Sequence, residues 1–301
     1  MTCCAAPAAR AIGYWETAKK AGLKADAKLQ VNNSWEICAV PYLPAMDLVA
    51  EHAYNLSTSV VDGVMLSWSL GGYPGPNLEL FSLFRRGDND CEKILDDLAA
   101  KLYGRESAGA VRKAWKAYSD GFRNYPMQWQ TVYYSPVQLG PANLLYPEKT
   151  GWNATMVNTP YDDYKRWTGG YAANPDVWLE QMRKTAAGFE RGDAVWAAAI
   201  QLMSGAARKA AERERVIFRA ATLHFRTCVD QAEFILARDR GDRAGMTAAA
   251  KKELETAKEF LALNRADSRL GFESSNRYMY VPNDFMEKIL NCRAIIDGGV
   301  R

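Results

Sequence analysis

Apolar positions follow two rhythms along this chain. Up to about residue 90, short apolar runs alternate with helical stretches; beyond that, a helical period continues with few interruptions. Ala27–Trp35 (AKLQVNNSW) and Gly63–Ser69 (GVMLSWS) read as strands, the second apolar enough to be covered on both faces. Between them Met46–Leu56 reads as a helix entered after Pro44, with Leu48, Val49, His52, Ala53 and Leu56 on one face. The turn-rich Gly71–Asn77 then leads to a short helical segment at Leu78–Phe84. A further helix is expected at Ala11–Ala21, carrying Ile12, Trp15 and Ala18 at helical spacing but no cap, as if the chain were entered in mid-fold.

Two strand–helix units about 35 residues apart have the rhythm of a βα barrel or a doubly wound sheet, so the strands should be parallel. Two strands cannot close a barrel, and an open parallel pair leaves its edges exposed. Either further strands come from a missing N-terminal barrel portion or another chain, or the pair docks on the helical remainder; the first is the expectation. From Cys91 onward the apolar stripes predict helices at Glu92–Leu102, Glu106–Phe122, Asp176–Glu190, Asp193–Arg238 (with a break near Gly205), Ala244–Ala266 and Asp284–Ile296. The expected fold is α/β followed by mainly α. Residues 1–90 form a partial TIM-barrel segment, its last two βα units, and residues 91–301 a C-terminal α-helical bundle domain. Within the bundle, residues 124–174 lack regular periodicity but carry ten Tyr and Trp side chains, so this loop is expected to pack across the bundle towards the βα part.

Composition narrows the function classes. Hydrophobic residues are 48% and charged residues 24% of the 301, ordinary values for a globular chain. A net charge of +3 without a Lys/Arg block gives no footprint for nucleic acid. No apolar run approaches the roughly 20 residues that span a bilayer, so no membrane partner is expected, and the Cys-rich Met1–Arg10 lacks the layout of a signal peptide. Six cysteines without a C-x-x-C pair and two histidines, His52 and His224, make a zinc site an unlikely use of this chain, and no metal or cofactor is expected. Both histidines read as core residues. The unusual feature is aromatic: nine Trp and fifteen Tyr suit a surface that grips flat apolar faces.

In βα architectures the ligand mouth lies at the carboxyl ends of the strands. Asn33, Trp35 and Glu36 stand at the first such end, Trp68 at the second, with Tyr73 just beyond. Indole rings beside amide and carboxylate groups suit sugars, because the ring covers a C–H face while Asn and Glu bind hydroxyls. The bland alternative is that both Trp residues fill the rim of a core and Glu36 makes an ion pair or caps a turn. Tyr161, Asp162 and Trp167 in the long loop read either as a lid closing over a ligand or as a solvated turn.

The run GVMLSWSLGGYPGPNLEL, following NNSWE and PYLPAMDLV, resembles the final strands of the (β/α)₈ barrel in glycoside hydrolase-like proteins such as retaining hexosaminidases. GPANLLYPEKTGWNATMVNTPYDD and DSRLGFESSNRYMYVPNDFMEKILNC resemble the helical C-terminal domain of large bacterial proteins of that kind. The resemblance implies a carbohydrate-active protein, with Trp68 lining a sugar subsite and Glu36 near the reaction centre. It also places the usual acid/base pair on earlier strands that this chain lacks. Glycoside hydrolysis normally needs two carboxyl groups roughly 5–9 Å apart, and Glu36 is the only acid that can be placed at a strand end. The expected role is therefore to contribute sugar-subsite residues without a complete catalytic set. The alternative is a non-catalytic helical module that binds a glycan or a protein.

Overall fold

The computed structural model describes residues 5–32, 36–37, 40–66, 73–151, 162–171, 173–271 and 280–298. The chain is mainly helical, with two parallel strands among the described residues and no closed barrel. Strand β1 (Asp26–Leu29) pairs with β2 (Gly63–Leu66), Ala27 opposite Val64 and Leu29 opposite Leu66. Helices α1 (Ala9–Lys20), α2 (Met46–Ser57) and α3 (Pro76–Ser82) accompany them. Side chains alternate along β1: Ala27 and Leu29 are buried, and they pack with Leu56 and Val61 and against Trp15 and Phe81. The opposite face, which carries Lys28 and Met65, is open, with Met65 64% exposed. Parallel sheets are normally covered on both faces.

The strands run parallel as their βα rhythm implies, and β1 ends at Leu29, short of the run the apolar pattern indicated. Just past β1 the Asn32 side chain turns aside, its Nδ2 donating to the Tyr73 carbonyl at 2.5 Å. At the other end of the sheet Asp62 is a structural residue: its carboxylate accepts from the Ala25 amide at 2.8 Å and from Lys19 Nζ, which holds its pKa below the ordinary value.

The remaining long helices are α4 (Cys91–Tyr103), α5 (Arg105–Phe122), α8 (Pro175–Gln201), α9 (Gly205–Asp239), α10 (Arg243–Ala266) and α11 (Pro282–Ile296). Short helices α6 (Trp129–Tyr134) and α7 (Tyr164–Thr168) lie in the long loop. Helix α8 runs through Arg191-Gly192, where the sequence pattern ended one helix and began another. Gly192 is not a stop; a Cβ there would stand 2.4 Å from the Tyr118 ring, so the glycine serves packing. The break near Gly205 that the pattern also indicated is present, at Leu202–Ser204 before Gly205 at φ +55°. Helices α5 and α8 approach most closely at Gly121 and Gly188, where a Cβ on Gly121 would lie 2.8 Å from the Gly188 Cα. Around this contact Tyr118, Phe189, Phe225 and Trp196 are fully buried, meeting their neighbours mostly edge to face. Polar links run across the bundle as well. Tyr118 donates to Asp193 (2.8 Å), Arg219 donates to Asp193 (3.0 Å), and the same guanidinium holds Glu259 through two bonds. The main apolar core takes in Ile37, Val40, Tyr42 and Met46 from before residue 90 together with the bundle helices.

His224 is a core residue, as its helical spacing indicates. Its Nε2 donates to the Val137 carbonyl at 2.7 Å, which leaves Nδ1 to accept from the Tyr280 hydroxyl. Burial lowers its pKa to about 3.

Candidate ligand-binding site

At the carboxyl end of β1 lies a cavity of about 340 Å³, bounded by β1, the residues that follow it, α2 and the end of α5. Its apolar wall includes Leu29, Leu43, Leu48, Phe122 and Met127; its polar lining includes Asn32, Glu36, His52 and Asn77. Apolar walls with a few convergent polar groups are the usual make-up of a small-molecule site, and the volume falls within the customary range.

Asn77 is the most constrained of these groups. It enters α3 directly after Pro76, is completely buried, and donates from Nδ2 to the carbonyls of Val31 (3.0 Å) and Leu43 (2.9 Å). Two acceptors on the nitrogen fix the amide orientation. The oxygen must then be Oδ1, and it has no hydrogen-bond partner. A buried acceptor left without a donor costs on the order of 1–3 kcal/mol. His52, on α2, is half-buried, and burial lowers its pKa against the opposing effect of Glu51. The imidazole is therefore neutral at pH 7, with one nitrogen to donate and one to accept. Glu36 lines the cavity from the segment following β1, so the one acid placed at a strand end from the sequence does reach this space.

Other expected contacts are distributed differently. Asn33, Trp35, Trp68 and Tyr161 lie outside the described residues. Tyr73 is half-buried and stands across the cavity wall, its carbonyl held by Asn32. Asp162 and Trp167 are not brought to the cavity. The Asp162 carboxylate accepts from Arg238 Nη1 (3.1 Å), the Thr150 amide (2.9 Å) and the Thr150 hydroxyl (3.1 Å), and both members of the ion pair are buried. Trp167 is fully buried, its ring centroid 5.9 Å from that of Tyr164 and 6.1 Å from that of Trp178. Solvated or ligand-facing acids and rings need open surface, and here tertiary packing has taken it away. The beginning of the loop does reach the site, through Met127.

Asn77 and His52, with Lys28 and Gln30, are polar lining residues that sequence reasoning passed over. The signal for Asn77 was its place at a helix start after Gly-Pro; His52 was read as core because it shares an apolar face with Leu48 and Leu56. Chemically, the cavity can hold a hydroxyl-bearing ligand by donors and acceptors of both kinds. Glu36 is the only carboxylate among its described lining residues. No group of three or more His, Cys, Asp or Glu suited to a metal ion occurs among the described residues, and no described helix is long and apolar enough to cross a membrane. Compared with known protein families, with curated proteins and with solved structures, the chain matches none.

Proposed function

We propose that this chain binds carbohydrate in the cavity at the end of β1, as the sugar-subsite portion of a glycoside hydrolase-like protein. The observation that carries the reading is the make-up of the cavity, in which the apolar Leu48 and Phe122 line the same space as Glu36, His52 and Asn77. A sugar hydroxyl can donate to the Glu36 carboxylate, while its C–H faces rest on Leu48 and Phe122. On this reading β1 and β2 belong to the end of a (β/α)₈ barrel whose further βα units come from other polypeptide, and the open face bearing Met65 is where they pack. A second reading, a non-catalytic glycan- or protein-binding module, is favoured by the single carboxylate, since hydrolysis by the usual route requires two.

Calorimetric titration of the chain against a glycan panel tests the proposal. Glu36→Gln is expected to weaken binding by about tenfold, the loss of one charged hydrogen bond, while aryl-glycoside turnover stays near background in both proteins. Absence of binding by a well-folded wild type removes the sugar reading; robust turnover abolished in Glu36→Gln removes the claim of an incomplete catalytic set.

A further inference from the structure

Helix α11 presents two different faces. Phe285, Lys288, Cys292 and Ile295 are buried against the rest of the bundle. At about 3.6 residues per turn Leu290 lies half a turn round from the middle of that row, so it points straight outward, and it is 61% exposed. Met286, one turn earlier on the same side, is 47% exposed. Single apolar side chains on a surface need no explanation, but the charges beside this pair are arranged unlike those of the neighbouring helices. Helices α4, α5, α8, α9 and α10 each close exposed charges within themselves, three or four residues apart: Lys93–Asp97, Lys116–Asp120, Glu180–Lys184, Arg208–Glu212 and Glu255–Lys258. On α11 the exposed Glu287 and Arg293 stand six residues apart, a spacing at which side chains do not meet on one helix. Among the described residues neither enters an ion pair.

We infer that the outer face of α11 pairs with the same face of a second copy of this chain, the two helices antiparallel across a twofold axis beside Leu290. Such an axis sets positions equally far before and after Leu290 level with each other across the contact. Glu287 and Arg293 lie three residues to either side of it. Glu287 of each copy is then level with Arg293 of the other, and the charges left open within one chain are met twice. Helices in contact lie about 8–10 Å apart, a gap that an extended arginine bridges. Leu290 meets Leu290 at the centre, and Met286 extends the apolar strip. Parallel pairing would instead set Glu287 against Glu287 and Arg293 against Arg293, which repel. A helix of 15 residues is about 22 Å long. Its outer face alone gives less than the roughly 800 Å² per partner of a standard interface, so a dimer of micromolar strength is expected. None of this depends on what the β1 cavity binds.

Sedimentation velocity of the whole chain from about 1 to 200 μM tests the pairing. The wild type is expected to pass from monomer to dimer across that range. Leu290→Glu is expected to stay monomeric, with an unchanged circular dichroism melt because the side chain is exposed. Glu287→Arg and Arg293→Glu each set like charges level with one another, and each is expected to weaken the dimer by about tenfold or more. The Glu287→Arg/Arg293→Glu double variant should recover wild-type affinity, and an equimolar mixture of the two single variants should form a heterodimer as tight as the wild-type dimer. A wild type that stays monomeric throughout, a dimer untouched by Leu290→Glu, or a double variant no tighter than its single parents overturns the inference.

Discussion

The buried pair Asp162–Arg238 separates a structural use of the long loop from a ligand-closing one. Asp162→Ala removes a carboxylate that accepts from Arg238 and from both the amide and the hydroxyl of Thr150. Breaking a buried ion pair typically costs about 3–5 kcal/mol, because the remaining charge is left uncompensated. Arg238 keeps Asp239 at 3.0 Å and the Tyr146 carbonyl at 3.2 Å, so the residual charge here is partly met. The expected loss is therefore about 2–4 kcal/mol. Asp162→Asn, which keeps an acceptor of the same shape, should lose about 1–2 kcal/mol. The Asp162→Ala/Arg238→Met double variant should be more stable than the sum of its single changes requires, since no charge is then stranded. Urea denaturation followed by far-ultraviolet circular dichroism measures all five proteins, Arg238→Met alone among them, and glycan titration runs in parallel. A loss below about 1 kcal/mol in Asp162→Ala, or abolished glycan binding at unchanged stability, would refute the structural assignment and restore the loop as a lid.

Gly188→Ala places a methyl group 2.2 Å from the Gly121 Cα, and is expected to cost about 1–3 kcal/mol by overpacking, read as a lowered urea midpoint. His224 supplies an acid-side limb of stability. Its pKa falls from 6.5 to about 3 on folding, so below pH 6.5 the unfolded chain takes up a proton that the folded chain refuses. Its contribution is complete above pH 6.5 and is lost by up to about 1.4 kcal/mol per pH unit towards pH 3. His224→Gln should be destabilised at pH 7, with its deficit against wild type shrinking as the pH drops to 4; a deficit independent of pH in urea titrations would contradict this.

The helices were legible because the sequence marks their faces and starts: Pro175 and Pro282 occupy first turns, and the apolar stripes of α5 and α10 run to within a residue or two of their ends. Parallel strand pairing was legible from the βα rhythm. Strand length was not, because Asn32 leaves the extended run for a carbonyl 41 residues away, and nothing local announces it. The loop acids failed for the same reason: Arg238 lies 76 residues from Asp162, and a partner at that distance leaves no spacing to read. The position of Glu36 on the cavity was legible because ligand spaces lie at strand ends as a rule of topology. Asn77 was missed because an orphaned oxygen is a property of three-dimensional surroundings, and a lone amide carries no pattern.

The contact between Gly121 and Gly188 bears on how a ligand of the proposed site would meet this protein. Phe122 follows Gly121 directly and forms part of the cavity wall. Where two helices touch backbone to backbone there are no intervening rotamers to rearrange, so Phe122 is carried on a segment whose position is settled when the bundle folds. The ordering entropy of that wall has thus been spent before any ligand arrives, and encounter need not remodel it. Association at this face should accordingly be a matter of desolvation and fit, with the rate set by access to the mouth.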